Sequence, residues 1–169
     1  MIITITGTPG TGKSYISKKI AKYGFKYFDL NAYIKKKKLY DTYDRKDKTF
    51  DVNPKKLKSI DLKKYSRKTA LLNRLDRTHY DMEDFIRLVK NSKIKFKRSE
   101  DIIVDSHLSH CIRSDLCIVI KSDIKKLYAR LKKRKYSEKK IRDNVESEIF
   151  DVCLEDASKY NKNLVVVYN

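Results

Sequence analysis

Five short apolar runs punctuate a chain that is otherwise dense in charge. Ile2-Ile3-Thr4-Ile5 opens the series as a β-branched run of the kind that forms a buried parallel strand. Lys26-Tyr27-Phe28, ending at Asp29, predicts a second strand, Asp101-Ile102-Ile103-Val104-Asp105 a third, Leu116-Cys117-Ile118-Val119-Ile120 a fourth and Leu164-Val165-Val166-Val167 a fifth. Between them the apolar positions fall at helical spacing. Ile16, Ile20 and Tyr23 place a helix over 14–23 with Gly24 as its stop; Ser122 reads as the N-cap of a helix carrying Ile124, Leu127, Tyr128 and Leu131. A further helix beginning near Ser137 carries Ile141, Val145, Ile149 and Val152. From Pro54, a first-turn proline after Asn53, to about Lys97, the apolar residues Leu57, Ile60, Tyr65, Leu72, Leu75, Phe85, Ile86 and Val89 recur loosely at helical intervals. Two or three charged helices are expected there. Strands alternating with helices predict an α/β fold on a mostly parallel sheet.

The segment joining the first strand to the first helix is Gly7-Thr8-Pro9-Gly10-Thr11-Gly12-Lys13-Ser14, which fills every fixed position of GxxxxGK[ST] in the strand–loop–helix context that the motif needs. Three of the four glycines of the chain and one of its two prolines fall in these eight residues. Such a loop directs successive backbone N–H groups and a helix N-terminus at phosphate oxygens. Lys13 supplies a mobile charge for the β and γ oxygens, and Ser14 a hydroxyl for Mg²⁺. The expected architecture is thus the P-loop NTPase fold, three layers α/β/α about a five-stranded, mostly parallel sheet. Asp105 ends an apolar strand at the edge where open parallel sheets bind ligands, so it is the candidate carboxylate for holding the metal through water; a helix cap or turn residue is the alternative. His107, His110 and Cys111 lie close enough for zinc, but no partner cluster follows to complete the ligand set, and His79, the only other histidine, lies far away. His107 is instead placed near the phosphates as a polar group, and His110 is structural.

A length of 169 residues suits one domain, and no apolar run is long enough to span a membrane. Three cysteines without framework spacing point to a reduced, cytoplasmic setting. Forty-one Lys and Arg against 22 Asp and Glu leave a net charge of +19, which makes a polyanionic partner such as RNA plausible; the alternative is a lysine-rich surface with no such partner. The run Lys35-Lys36-Lys37-Lys38 reads as a solvated helix face, and the twelve tyrosines are scattered without a stacking signature.

Four blocks together resemble a known family: Gly7 to Ser14; Leu39-Tyr40-Asp41-Thr42-Tyr43-Asp44; Val104-Asp105-Ser106-His107-Leu108-Ser109-His110; and Leu127 to Val152, which includes Arg134-Lys135-Tyr136 and Asn144-Val145-Glu146-Ser147-Glu148-Ile149-Phe150. They resemble, in order, the atypical nuclear-type adenylate kinases, the family of adenylate kinase isoenzyme six and coilin-interacting ATPase, with archaeal relatives. The resemblance implies an adenylate-kinase-like enzyme that converts ATP and AMP to two ADP with Mg²⁺, hydrolyses ATP more slowly, and acts in maturation of the small ribosomal subunit and its rRNA through a ribosomal protein and the pre-ribosomal particle. The setting would be nuclear in a eukaryote. It further implies an AMP-binding region at about 29–52, a charged helical insertion at about 58–98 and a lid at about 133–143. By the same resemblance Lys13, Asp105, His107 and Arg134 are catalytic, and Gly7, Pro9, Gly10, Thr11, Gly12, Lys13, Ser14, Tyr15 and Arg134 contact ATP. Ser14 and Asp105 would serve Mg²⁺. The chain departs from the family at Tyr15, where a second small hydroxyl residue often stands, and at Lys135, where a glycine is usual. It also closes on the fifth strand, without the last helix that helps to enclose adenine in the family, which leaves base specificity open.

Overall fold

The computed structural model describes residues 1–44, 49–62, 65, 71–76, 78–92 and 94–169. Its centre is a parallel sheet in the order β2-β6-β1-β7-β8-β5, built from β1 (Ile2–Thr6), β2 (Lys26–Asp29), β5 (His79–Asp81), β6 (Ile102–Asp105), β7 (Leu116–Lys121) and β8 (Leu164–Tyr168). Helices α1 (Lys13–Ala21), α2 (Leu30–Lys37), α3 (Pro54–Lys58), α4 (Met82–Asn91), α5 (Ile124–Lys133), α6 (Glu138–Ile149) and α7 (Val152–Tyr160) connect and cover it, and β3 (Thr42–Asp44) pairs with β4 (Thr49–Asp51) in a separate antiparallel hairpin.

Side-chain alternation in the strands sorts the core onto two faces. Ile3, Ile5 and Ile103 pack with Ile16 and Ile20 of α1 and Phe85 and Val89 of α4. Ile102 and Val104, on the opposite face, pack with Leu30 and Ile34 of α2 and Leu57 of α3. The five strands expected from the apolar runs are all present, and the architecture is the predicted α/β sandwich. The sheet has a sixth strand, however. β5 pairs in parallel with β8, His79 opposite Val166 and Asp81 opposite Tyr168. It lies inside the stretch expected to be helical, where α3 and α4 do form. Only Tyr80 of its three residues is buried, so the chain offers no alternation long enough to read. The parts of that stretch at 63–64, 66–70, 77 and 93 lie outside the described residues.

Two helix boundaries also differ from expectation. Asp123, not Ser122, caps α5, its carboxylate accepting from the Lys126 N–H at 3.0 Å. The helix expected to run through Val152 stops at Ile149: Asp151 turns into the left-handed region at φ 55° and its carbonyl starts α7 by accepting from Leu154 and Glu155. Ile149 and Val152, whose spacing suggested one continuous buried stripe, are 54% and 42% exposed.

Candidate active site

Parallel register fixes the floor of the site before any side chain is considered. Ile5 on β1 and Asp29 on β2 both pair with Asp105 on β6, so the loop after β1 and the acid ending β6 emerge side by side at the C-terminal edge of the sheet. The loop then needs backbone that other residues cannot supply. Gly7 has φ 131° and a Cβ there would collide with the Ile120 carbonyl; Gly12, at φ 102°, forms the left-handed N-cap of α1, where a Cβ would strike the Asn169 amide. Thr8 is the hub of the loop: its carbonyl accepts from Thr11 N–H at 3.2 Å, Thr11 Oγ1 at 2.9 Å and Lys13 Nζ at 2.9 Å.

Lys13 opens α1 and folds back over the loop, its ammonium also donating to the Gly7 carbonyl at 2.7 Å. Burial lowers its pKa to about 8, although Cys153, Asp105 and Glu148 favour the charged form. Asp105 is 3% exposed. One of its oxygens accepts from the Tyr27 hydroxyl at 2.8 Å, while the other, Oδ1, has no hydrogen-bond partner among the described residues. An orphaned carboxylate oxygen at such depth costs about 1–3 kcal/mol unless something occupies it. A water in the shell of a divalent cation would satisfy it, so the residues present fit Mg²⁺ carried with a nucleotide. Burial first and the Asp105 hydrogen bond second push the pKa of the Tyr27 phenol well above the ordinary phenol value.

Pro9, Gly10, Gly12, Lys13, Ser14, Tyr15, His107 and Arg134 share the wall of one cavity of about 730 Å³. Of the other predicted residues, Gly7 and Thr11 are buried members of the loop whose hydrogen bonds shape it, and Asp105 is buried beside it. His107 is lowered to about 4 by burial and then by the Lys13 charge, so at neutral pH it is an uncharged imidazole beside the loop. His110 points away into the core: its Nδ1 is 3.0 Å from Thr6 Oγ1 and its ring stacks on Tyr160. With Cys111 buried among the residues of α2 and α3, no group of His, Cys, Asp or Glu that could hold a metal ion forms among the described residues. Arg134 ends α5, and the next residue, Lys135, is left-handed at φ 56°. That conformation accounts for a glycine being usual there in the family that the chain resembles.

The opposite wall comes from Asn31 and Ile34 of α2, Thr49 and Phe50 of β4, and Val52. This is the region expected at about 29–52, brought to the same cavity as the loop; Arg45 within it lies outside the described residues. A third wall comes from α6, with Lys140, Asp143, Asn144 and Ser147, and from Cys153 at the start of α7.

Several of these residues escaped the sequence reading. Arg130 sits one helical turn before Arg134 and reaches the carbonyls of Gly10 and Thr11 at 3.4 and 3.5 Å, a contact that its i,i+4 spacing could have suggested. Tyr27 lies within β2, the edge strand beside the one that Asp105 ends. Glu148 gave no signal among the many charges of α6.

The profile of the AAA domain family matches residues 3–151. Among curated proteins, the "Putative adenylate kinase" of Thermococcus kodakarensis is 31% identical over 168 residues, 99% of this chain and 75% of that protein. Its namesake from Methanosarcina barkeri is 33% identical over 165 residues, 97% of this chain and 74% of that protein. Among solved structures, deoxyadenosine kinase from M. mycoides with bound dATP covers 99% of this chain and 90% of its own at 18% identity and a TM-score of 0.43, a likeness that says nothing of this chain's chemistry. The chain belongs to the AAA domain family, in the company of the archaeal proteins that bear the name "Putative adenylate kinase".

Proposed function

We propose that the protein is a nucleotide kinase that transfers the γ-phosphoryl group of Mg-ATP to AMP, giving two ADP. The observation that carries this reading is the cavity itself: the phosphate loop with Lys13, and residues of α2 and β4, line one space of about 730 Å³. A loop alone would suit any nucleotide hydrolase; a second wall opposite it suits an acceptor. The names of the archaeal relatives point the same way.

In this reading the Lys13 ammonium leaves the Gly7 and Thr8 carbonyls for the β and γ oxygens, and the loop N–H groups hold the rest of the chain of phosphates. Mg²⁺, when bound, neutralises charge on the transferred group; Ser14 and, through water, Asp105 would hold it. Arg134 closes from the end of α5 with its planar fork on the oxygens of the group in flight. His107, neutral beside Lys13, orients the acceptor or a water without adding charge. When water replaces AMP the same geometry gives slow ATP hydrolysis.

A second reading, an ATPase switch that contacts rRNA and a ribosomal protein in small-subunit assembly, rests on the resemblance and on charge: the chain carries +19, and a cleft beside α1 is lined by Lys18, Lys22, Lys26 and Arg98 with no acid. The three cysteines are free thiols, in keeping with a cytoplasmic setting. One experiment separates the readings. With Mg-ATP present, ADP formation that depends on AMP at a stoichiometry of two per AMP consumed supports the kinase. Indifference to AMP together with phosphate release stimulated by rRNA overturns it in favour of the switch.

A further inference from the structure

Glu148 is 4% exposed, yet it lies in a helix whose neighbours Lys139, Arg142 and Glu146 face solvent. A carboxylate is rarely buried without partners, and this one has two from different parts of the chain. Its Oε2 accepts from the Thr8 hydroxyl at 2.5 Å, and its Oε1 accepts from the Ser122 backbone N–H at 2.8 Å. Thr8 is the hub of the phosphate loop. Ser122 sits at the end of β7, immediately before the Asp123 cap of α5, the helix that carries Arg130 and Arg134. Glu148 itself ends α6, whose Lys140, Asn144 and Ser147 line the cavity. One buried carboxylate therefore ties together the loop, the base of the arginine-bearing helix and the helix that walls the cavity. The turn that follows is fixed as well, since Lys121 pairs with Asp151 and donates to the Glu148 carbonyl at 3.3 Å.

We propose that Glu148 is a positioning residue for nucleotide binding: through the Thr8 hydroxyl it sets the shape of the phosphate loop and makes that shape depend on where α6 stands. The inference rests on the proposed phosphate-binding role of the loop. Thr8 has one hydroxyl proton, and sending it to Glu148 orients the Thr8 peptide whose carbonyl holds Thr11 and Lys13. If that bond is lost, the loop gains freedom just where its N–H groups must converge on phosphate. The acceptor wall contributes nothing to this junction, so AMP binding should not feel the change.

The test is Thr8→Val, which removes the hydroxyl at almost constant volume, beside Thr8→Ser, which keeps it, and Glu148→Gln. Calorimetric titration with Mg-ATP reads the donor site directly, whatever the acceptor proves to be. We expect Thr8→Val to weaken Mg-ATP binding tenfold or more, Thr8→Ser to stay within about twofold of wild type, and KM for AMP to be unchanged in both. Combined with Glu148→Gln, which weakens the same contact by removing its charge, Thr8→Val should add little to the loss already caused, because the two changes act on one interaction. A Thr8→Val protein that folds and binds Mg-ATP like wild type overturns the proposal, as do effects of the two changes that simply multiply. If Glu148→Gln fails to fold, the Thr8→Val and Thr8→Ser pair decides alone. Failure of the wild-type protein to bind Mg-ATP overturns this inference and the phosphate-loop reading together, whereas Mg-ATP binding without AMP turnover removes only the proposed acceptor.

Discussion

The two walls of the cavity are held by different forces. On the donor side, the loop between β1 and α1 grows from the middle of a six-stranded sheet, and Thr8, Lys13, Glu148 and Arg130 tie it down with hydrogen bonds at the level of buried backbone. Across the cavity, β3 and β4 are three-residue strands that pair with no other strand among the described residues, and every residue of β3 is exposed. Phe50 of that hairpin packs its ring against Tyr40 at 4.7 Å and Tyr43 at 4.8 Å and, with Tyr40, leans on the edge of the Leu30, Ile34, Val52 and Leu57 cluster, while Asp41 pairs with Lys56 and caps the Asn53 N–H. An isolated two-stranded hairpin is marginal in water, and an exposed ion pair adds little. Under the proposed function, the loop is the better-tied donor side of the cavity and the hairpin the more easily moved acceptor side. Phosphoryl transfer needs both properties, since one substrate must be held in line while the other enters and water is excluded.

Lys13→Met is the most severe break that can be made on the donor side. Loss of the loop charge should lower kcat/KM for the forward reaction by a thousandfold or more, with the fold intact. Because the folded pKa of Lys13 is about 8 against an ordinary 10.5, the unfolded chain binds more protons at this group between those values, so the Lys13 contribution to stability rises with pH there. The stability of the wild type relative to Lys13→Met should therefore increase by up to about 3 kcal/mol between pH 8 and pH 10.5. Over the same window, Mg-ATP binding by the wild type should weaken as the ammonium is lost. Paired denaturation and titration curves at pH 7, 8.5 and 10 check both signs; parallel behaviour of the two proteins would show that Lys13 is not the titrating group.

Asp105→Asn comes next. The change keeps the shape and the Tyr27 contact but removes the charge behind the orphaned Oδ1. Turnover at low Mg²⁺ should fall about a hundredfold and recover partly as Mg²⁺ is raised, because weakened metal retention rather than lost chemistry is the defect. A Mg²⁺ dependence identical to wild type would return Asp105 to the role of a strand-end acid.

On the other wall, Phe50→Ala removes the ring on which both Tyr40 and Tyr43 lean. KM for AMP should rise about tenfold with KM for ATP unchanged, and stability should drop as well, since the ring also packs on the Leu30, Ile34 and Val52 cluster. Equal damage to both Michaelis constants would mean that the two walls are not independent.

The same division governs what could be read from the chain. Ile2-Ile3-Thr4-Ile5 and the glycine loop state their structure locally, through β-branched residues and through glycines at φ 100° to 131°, so the phosphate loop and five of the six strands of the sheet followed directly. The strand His79–Asp81 and the break at Asp151 could not be read, because a three-residue edge strand is specified by its neighbour β8 and a left-handed aspartate by its pairing with Lys121. Glu148 was invisible for a related reason. Its sequence neighbourhood describes a solvated helix, and only the distant Thr8 and Ser122 turn it into a buried acceptor. Chemistry encoded in one segment is apparent from order alone, whereas chemistry made by convergence needs the fold.

The smallest effect is expected at Lys135, in the turn between Arg134 and α6 that would be the hinge of the proposed lid. A lysine at φ 56° is strained by about 1 kcal/mol, and replacing it with glycine relieves that strain while adding some freedom to the unfolded chain. Lys135→Gly should therefore be stabilised by less than about 1 kcal/mol, or left unchanged. The informative reading is kinetic. If the donor wall is held by the junction at Glu148, loosening the hinge at the far end of α6 should leave Mg-ATP affinity as it was and change only the rate at which the segment carrying Arg134 opens and closes. A Lys135→Gly protein with altered kcat and unchanged Mg-ATP affinity places the moving part beyond Glu148; a loss of affinity would mean that the strained lysine is itself part of what holds the loop in shape.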